Sequence, residues 1–109
     1  MVNFEFNPGE KLLVCKFSGR LDTLVCTSLS GEVQSKITDC KQDQTLDKQT
    51  GLKISFDMKE VTFISSAFIR ICLFTYKEVG KGSFSILNSD PFLKKTFKIA
   101  GLSELLSVS

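Results

Sequence analysis

The chain has 109 residues, of which 42% are hydrophobic, a length and composition typical of one globular domain spanning residues 1–109. It contains no histidine, which excludes Ser-His-Asp and Cys-His catalytic systems and any histidine-ligated metal site. The formal net charge is only +2, and the short basic cluster Lys94-Lys95 is typical of a solvated helix face, so nucleic-acid binding is not expected.

The chain opens on a predicted β-hairpin. Residues 2–6 alternate apolar and polar side chains, as a half-buried strand does. Asn7-Pro8-Gly9-Glu10 predicts a type II turn, in which proline sets the second position and Gly9 takes a left-handed φ at the third. Lys11–Ser18 is the predicted return strand.

A helix and a polar loop are predicted next. Gly19-Arg20-Leu21-Asp22 ends the second strand, and the Asp22 carboxylate is placed to accept the free N–H groups of a helix that starts after it. Apolar residues then recur every four positions, which predicts one stripe along that helix: Leu21, Val25, Leu29, Val33 and Ile37. The polar stretch Lys41–Gly51 predicts a surface loop.

The middle of the chain predicts a central strand, a link and a strongly apolar helix. Leu52–Met58 alternates as a strand does, and the short apolar link Val61–Ile64 follows it. From about Ser66 to Val79 the apolar residues cover a wide helical face. Such a face predicts packing against a sheet and against a second helix beside it.

A short strand and a last helix complete the predicted fold. Ser83–Leu87 predicts the strand, Asp90-Pro91 the start of the helix, and Gly101-Leu102 its end. The resulting order β-β-α-β-α-β-α predicts an α/β fold with a mixed β-sheet, helices packed on it and an opening β-hairpin.

The cysteines and the hydropathy indicate the compartment. Cys15, Cys26, Cys40 and Cys72 form no Cys-x-x-Cys pair, so neither a zinc site nor a thioredoxin-type motif is indicated. The N-terminal residues enter a strand pattern without a signal segment, and no apolar run approaches the roughly 20 residues that cross a bilayer. We therefore expect a cytoplasmic protein without membrane insertion, metal or other cofactor.

The candidate functional residues lie where the central strand leads into the apolar helix, within Phe63–Arg70. A helix start presents free N–H groups and a partial positive charge, which favour a phosphate. A serine there is either the helix cap or a site of reversible phosphorylation, and Ser65 and Ser66 both fit the pattern. Arg70 lies one helical turn after Ser66, within reach of a phosphate.

Three motifs in order resemble the STAS domains of bacterial anti-sigma factor antagonists and sulfate transporters. Gly19-Arg20-Leu21-Asp22 is similar to the Gly-x-Leu-Asp at the end of the family's second strand. Ile54-Ser55-Phe56-Asp57, followed by Val61–Ala67, is similar to the central strand and its switch serine. Asp90-Pro91 to Gly101-Leu102 is similar to the final helix and its Gly-Leu ending.

The resemblance implies a partner switch in signal transduction and transcription regulation. In such a system the unphosphorylated antagonist binds an anti-sigma factor that is also a serine kinase; the kinase phosphorylates it, and a phosphatase resets it. The implied phosphorylation site is Ser66, and the implied contact residues are Asp22, Ser65, Ser66, Phe68, Ile69 and Arg70. The domain is then a kinase substrate and not an enzyme, and the sequence indicates no oligomeric state.

Phe68 stands where many family members have glycine, and two placements are open for it. It is either buried against the sheet or part of an exposed apolar contact patch. The second placement favours an alternative function, a STAS binding module without phosphorylation in a signalling or transport assembly, with an interface centred on Phe68 and Ile69. A small enzyme is the third hypothesis, but no nucleophile–base pair is evident in the sequence.

Overall fold

Strands and helices follow one another in the predicted order. The computed structural model describes residues 2–42 and 51–109. The elements are β1 (Val2–Asn7), β2 (Leu12–Leu21), α1 (Thr23–Lys41), β3 (Lys53–Ile64), α2 (Ser66–Val79), β4 (Phe84–Leu87) and α3 (Pro91–Ile99). The α/β class and the opening β-hairpin are therefore confirmed.

The strands of the described chain form one mixed sheet in the order β1-β2-β3-β4. β1 pairs with β2 antiparallel, whereas β2–β3 and β3–β4 are parallel pairs. At the end of the long β2–β3 pair, Leu21 lies opposite Ile64. Because both strands end at the same edge of the sheet, the helices that follow them, α1 and α2, start side by side.

The core lies between the sheet and its helices. Alternate residues of β2 and β3 are at most 2% exposed and belong to one hydrophobic cluster: Leu13, Cys15, Phe17, Ile54, Phe56 and Met58. In α1 the predicted stripe is buried at Leu29, Val33 and Ile37, while Val25 is half-buried. Burying each such side chain stabilises the fold by roughly 1.5–3 kcal/mol before entropy is counted.

Phenylalanines fill the centre of this core. The Phe17 ring meets Phe56 edge-on with ring centroids 4.8 Å apart, and it meets Phe68 edge-on at 5.0 Å. Phe56 also meets Phe84 at 4.9 Å. Edge-to-face pairs of this kind contribute about 0.5–1.5 kcal/mol each beyond the burial of area. Phe68 therefore ties α2 to the sheet.

The hairpin turn differs from the predicted type II turn. The connection has four residues, since Asn7 pairs with Leu12, and the left-handed residue is Lys11 (φ 56°) instead of Gly9. The Glu10 N–H donates to the Asn7 side-chain oxygen at 3.1 Å, and the Lys11 N–H donates to the Pro8 carbonyl at 3.3 Å. Four-residue hairpin loops are most often built around a type I turn. In this loop the left-handed residue is the last of the four, a position that the Pro8-Gly9 pair did not indicate.

Two strand boundaries also differ from prediction. The apolar link Val61–Ile64 belongs to β3, and β2 extends through Leu21, because the two stretches pair with each other up to Leu21–Ile64. Shifts in register along this pair bend it locally. The predicted loop Lys41–Gly51 falls largely outside the described residues; Lys41 itself ends α1.

The last helix has the predicted caps. Asp90 accepts the Leu93 N–H at 2.8 Å, and Gly101 is left-handed with φ 75°. The Leu102 N–H returns to the Phe97 carbonyl at 2.9 Å, which closes the helix end. The chain then runs back to the sheet, where Val108 bridges to Ile86 of β4.

Candidate functional site

The starts of α1 and α2 form the candidate site. Leu21 and Ile64 are paired at the ends of β2 and β3, so the next residues, Asp22 and Ser65, are the N-caps of the two helices. Each helix start presents N–H groups without intrahelical partners and about half a positive charge. Two such starts beside each other make this edge of the sheet favourable for negative charge.

The Leu21 carbonyl joins the two helix starts. It accepts the Ser65 N–H at 3.0 Å and the Ser65 hydroxyl at 2.9 Å. The Cys26 thiol of α1 donates to the same oxygen at 3.6 Å and lies 3.9 Å from the Ser65 hydroxyl. Ser65 is thus the N-cap of α2 by backbone position, but its hydroxyl is bonded across the site and makes no cap bond within the described residues.

Ser66 has a different environment from its neighbour. It is the first residue of α2, it is exposed, and its hydroxyl has no hydrogen-bond partner within residues 2–42 and 51–109. The helix-start position and the free hydroxyl are what a phosphoryl acceptor needs. Of the two candidate serines, Ser66 is therefore the more exposed, and Ser65 is half-buried with its hydroxyl bonded.

Asp22 performs the predicted capping. Its carboxylate accepts the Val25 N–H at 2.9 Å while its backbone carbonyl accepts the Cys26 N–H at 2.9 Å. The side chain is half-buried, so part of it still faces the surface next to the Ser65–Ser66 junction. Its structural role is visible in these contacts, and a role in partner contact stays a prediction.

Phe68 does not belong to the contact surface. Its side chain is 0% exposed and packs on Phe17, so the buried placement is the one observed. The other placement left open, an exposed contact patch at Phe68, is wrong, because the residue turns inward on α2 and its side chain is closed to a partner in this fold. Ile69 is half-buried and Arg70 is exposed, so these two stay available.

A groove of about 380 Å³ runs between α1 and α2 beside this site. Six residues of α1 and four of α2 line it, among them Thr23, Thr27 and Ser30 from α1, and Ala67, Arg70 and Phe74 from α2. Ala67, the residue after Ser66, is part of its lining, and Arg70 places one positive charge in its wall. The three α1 residues were not predicted, although their spacing of three and four residues would have placed them on one face.

Leu24 is a second feature that the sequence did not indicate. It lies in the first turn of α1, two residues after Asp22, and is 82% exposed, more than any other large apolar side chain among the described residues. A lone exposed leucine is ordinary on a protein surface. It stands two residues after the Asp22 cap, at the exposed start of α1.

The thiols near the site are poor nucleophiles. Burial raises the pKa of the Cys26 thiol, against a smaller lowering by its hydrogen bond with Ser65, and burial raises the pKa of Cys72 well above its usual value. A nucleophilic cysteine needs the opposite shift, toward the thiolate. Within the described residues there is also no group of three or more carboxylate, thiol or imidazole side chains that could hold a metal.

A family model described as "STAS domain" matches residues 3–109. The chain belongs to the STAS domain family. The resemblance carried by the three sequence motifs is thereby confirmed. Comparison with curated protein sequences gave no significant match.

Solved structures of low sequence identity share this fold. An anti-sigma factor antagonist from Mycobacterium paratuberculosis has a TM-score of 0.77 at 18% identity, over 99% of this chain and 83% of that one. The anti-sigma factor antagonist SpoIIAA in its unphosphorylated form has a TM-score of 0.63 at 16% identity, over 91% and 83%. The Bacillus cell fate determinant SpoIIAA in its phosphorylated form has a TM-score of 0.64 at 15% identity, over 100% and 91%.

In the part of the chain that the structure describes, no helix combines the length and the apolar character that spanning a membrane requires.

Proposed function

We propose that this STAS domain is an anti-sigma factor antagonist-like partner switch, controlled by reversible phosphorylation of Ser66. It binds an anti-sigma factor that is also a serine kinase, loses that partner when Ser66 is phosphorylated, and is reset by a phosphatase. The observation that carries the proposal is the difference between two adjacent serines: the Ser65 hydroxyl is bonded to Leu21 at 2.9 Å, whereas Ser66 is exposed at the start of α2.

The electrostatics of the helix start favour a phosphate on Ser66. Phosphorylation adds a charge of about −1.5 to −2 near neutral pH, and a helix start stabilises a negative charge by about 0.3–1 kcal/mol. Arg70, one turn along α2, supplies a cation on the same side of the helix. Phosphorylation is therefore compatible with the fold, and what it changes is the binding of a partner to this surface.

The proposed contact surface consists of the residues around the two helix starts: Asp22, Leu24, Ser66, Ile69 and Arg70. An apolar leucine, an acid and a base around an exposed serine provide both packing and charge to a partner. A phosphoryl group at its centre introduces a strongly hydrated charge where a partner would have to remove water. This physical effect explains why the phosphorylated form would release the partner.

The fold of the similar structures supports this proposal, since SpoIIAA has been solved in both unphosphorylated and phosphorylated forms. The compartment is proposed to be the bacterial cytoplasm, where a soluble kinase and phosphatase can act. Four buried cysteines without disulfides fit its reducing conditions.

The alternative of a STAS module without phosphorylation is weakened in one respect. Its predicted interface was centred on Phe68 and Ile69, and Phe68 is buried. A module of this kind would have to bind through Leu24 and Ile69 instead. The intact mass of the protein from its native host decides between the two functions, because only the partner switch requires a modified Ser66.

The first test is the intact mass of the protein purified from its native host, with and without phosphatase treatment. We expect one phosphoryl group, which phosphatase removes and which fragmentation maps to Ser66.

The second test measures binding to the cognate anti-sigma kinase. Ser66→Asp should weaken binding at least tenfold, about 1.4 kcal/mol, while Ser66→Ala binds like the wild type. Ser65→Ala is the control. An unmodified mass in every growth condition, or equal binding by the Asp and Ala variants, would refute the switch.

A further inference from the structure

A concentration of lysines on α3 is not used by the proposed switch. The nine residues Pro91–Ile99 include three lysines and no acid. The three lysines line a hollow of about 700 Å³ between α3 and the chain's last residues. The full lining is Lys94, Lys95, Lys98, Ile99, Ser103 and Val108. All three lysines are exposed, and none has an ion pair with a described residue.

Apolar side chains accompany these charges. Ile99 is 76% exposed and Phe92, seven residues earlier and so on the same side of the helix, is 59% exposed. The apolar residues that hold α3 to the core are others, Leu93 and Phe97, which are 0% exposed. Packing of the fold therefore does not account for Phe92 and Ile99. A favourable interaction with the helix dipole explains only Lys98, which lies in the last turn of α3; it does not explain Lys94 and Lys95.

This surface lies away from the Ser66 site. β4, which precedes α3, ends at Leu87 opposite Asp57 of β3. From there β3 continues seven residues to Ile64, a distance of about 23 Å at about 3.3 Å per residue. A ligand of the α3 surface is thus independent of the partner proposed for Ser66.

We propose that the hollow beside α3 binds an acidic protein segment that also carries an apolar side chain. Carboxylates of such a segment would pair with Lys94, Lys95 and Lys98, and its apolar side chain would cover Ile99 and Val108. A concave site fits a segment of chain better than the flat surface of a bilayer. Single-stranded nucleic acid is disfavoured because successive bases need a series of aromatic rings, whereas none of the described lining residues is aromatic and Phe92 lies outside the lining.

The test uses the full-length protein and a fluorescein-labelled helical peptide that alternates glutamate and leucine at helical spacing. Fluorescence anisotropy gives its affinity for the wild type, for K94E/K95E/K98E and for K59E/K77E/K81E. The second triple variant is the matched control, because its lysines are also exposed and it changes the net charge equally. We expect the α3 variant to bind roughly tenfold more weakly than the control, and Ile99→Ser to bind roughly threefold more weakly than the wild type.

Several results would overturn the proposal: no binding of the peptide by the wild type, or equal loss in the two triple variants. Tighter binding to phosphatidylglycerol vesicles or to a DNA oligonucleotide than to the peptide would also overturn it and would assign the surface to that ligand. Circular dichroism establishes that each variant is folded. Ser66→Asp should bind the peptide like the wild type, since the two surfaces are separate.

Discussion

The Ser65 hydroxyl donates a hydrogen bond of 2.9 Å to the main-chain carbonyl of Leu21, a residue 44 positions earlier in the chain. This bond ties the start of α2 to the end of β2, next to the start of α1. It also separates the roles of two neighbouring serines. Ser65 holds the junction together, and Ser66, one residue later and exposed, is left for chemistry at the surface.

Replacement of Ser65 by alanine should lower stability, and replacement of Ser66 should not. Ser65→Ala removes one hydrogen bond of a partly buried hydroxyl, which costs about 1 kcal/mol, while the Leu21 carbonyl keeps its bond from the Ser65 N–H. Ser66→Ala changes an exposed residue and should stay within about 0.5 kcal/mol of the wild type. Urea unfolding followed by circular dichroism measures both. Equal stabilities of the two variants would contradict the assigned division of roles.

Asp22 variants should separate its capping role from partner contact. Asp22→Ala removes the acceptor for the Val25 N–H and should lower stability by about 1 kcal/mol, while Asp22→Asn retains an acceptor and should change it by only a few tenths. If Asp22 also contacts the anti-sigma kinase through its charge, Asp22→Asn should weaken binding roughly fivefold. Asp90→Asn, the equivalent cap of α3, is the control and should bind normally. Normal binding by Asp22→Asn would limit Asp22 to capping.

Local chemistry explains which parts of the fold could be predicted. The caps Asp22, Asp90 and Gly101 were predicted because their roles depend on residues within four or five positions. The order of strands and helices followed from apolar periodicity for the same reason. The hairpin turn was predicted wrongly because the Pro8-Gly9 pair fits more than one type of hairpin loop. The pairing of Asn7 with Leu12 fixes a four-residue loop, in which Lys11 is the left-handed residue.

Features that depend on distant parts of the chain could not be predicted. The pattern of a helix start fitted both Ser65 and Ser66, and only the family resemblance implied Ser66; the bond of the Ser65 hydroxyl to the Leu21 carbonyl, 44 residues away, had no signal in the sequence. Nor could the sequence choose the placement of Phe68, which rests on the rings of Phe17 and Phe56. Family resemblance supplied the candidate site, and the packing decided which of its residues are accessible.

Phe68 should affect stability without contributing directly to partner binding. Phe68→Leu retains part of the buried volume and should lower stability by about 1–2 kcal/mol, whereas Phe68→Ala should lower it by about 3–5 kcal/mol. At a temperature where Phe68→Leu is fully folded, its affinity for the partner should equal that of the wild type. Ile69→Ser, on the half-buried neighbour, should show the opposite behaviour, with weaker binding and a smaller loss of stability. A folded Phe68→Leu protein that fails to bind would return Phe68 to the interface.

Stability should fall at alkaline pH because of the buried thiols, of which Cys15 is the most direct to test. Burial, with a smaller contribution from Cys40, raises the pKa of Cys15 from 9.0 to about 12. Above pH 9 the thiol ionises in the unfolded chain and stays protonated in the folded one. The unfolded state therefore binds fewer protons, and the free energy of unfolding falls as the pH rises from 9 toward 12.

The Cys15→Ala variant isolates this contribution. Between pH 8 and pH 10.5 the wild type should lose roughly 2 kcal/mol more than the variant, since each pH unit above the unfolded pKa removes about 1.4 kcal/mol per thiol. Val33→Ala, also a fully buried site, is the control, because it lowers stability equally at every pH and keeps the wild-type slope. Urea unfolding at a series of pH values under reducing conditions gives the slopes. Parallel curves for the wild type and Cys15→Ala would mean that the Cys15 thiol reaches water without unfolding, and the packing of β2 against α1 would then be looser than the structure shows.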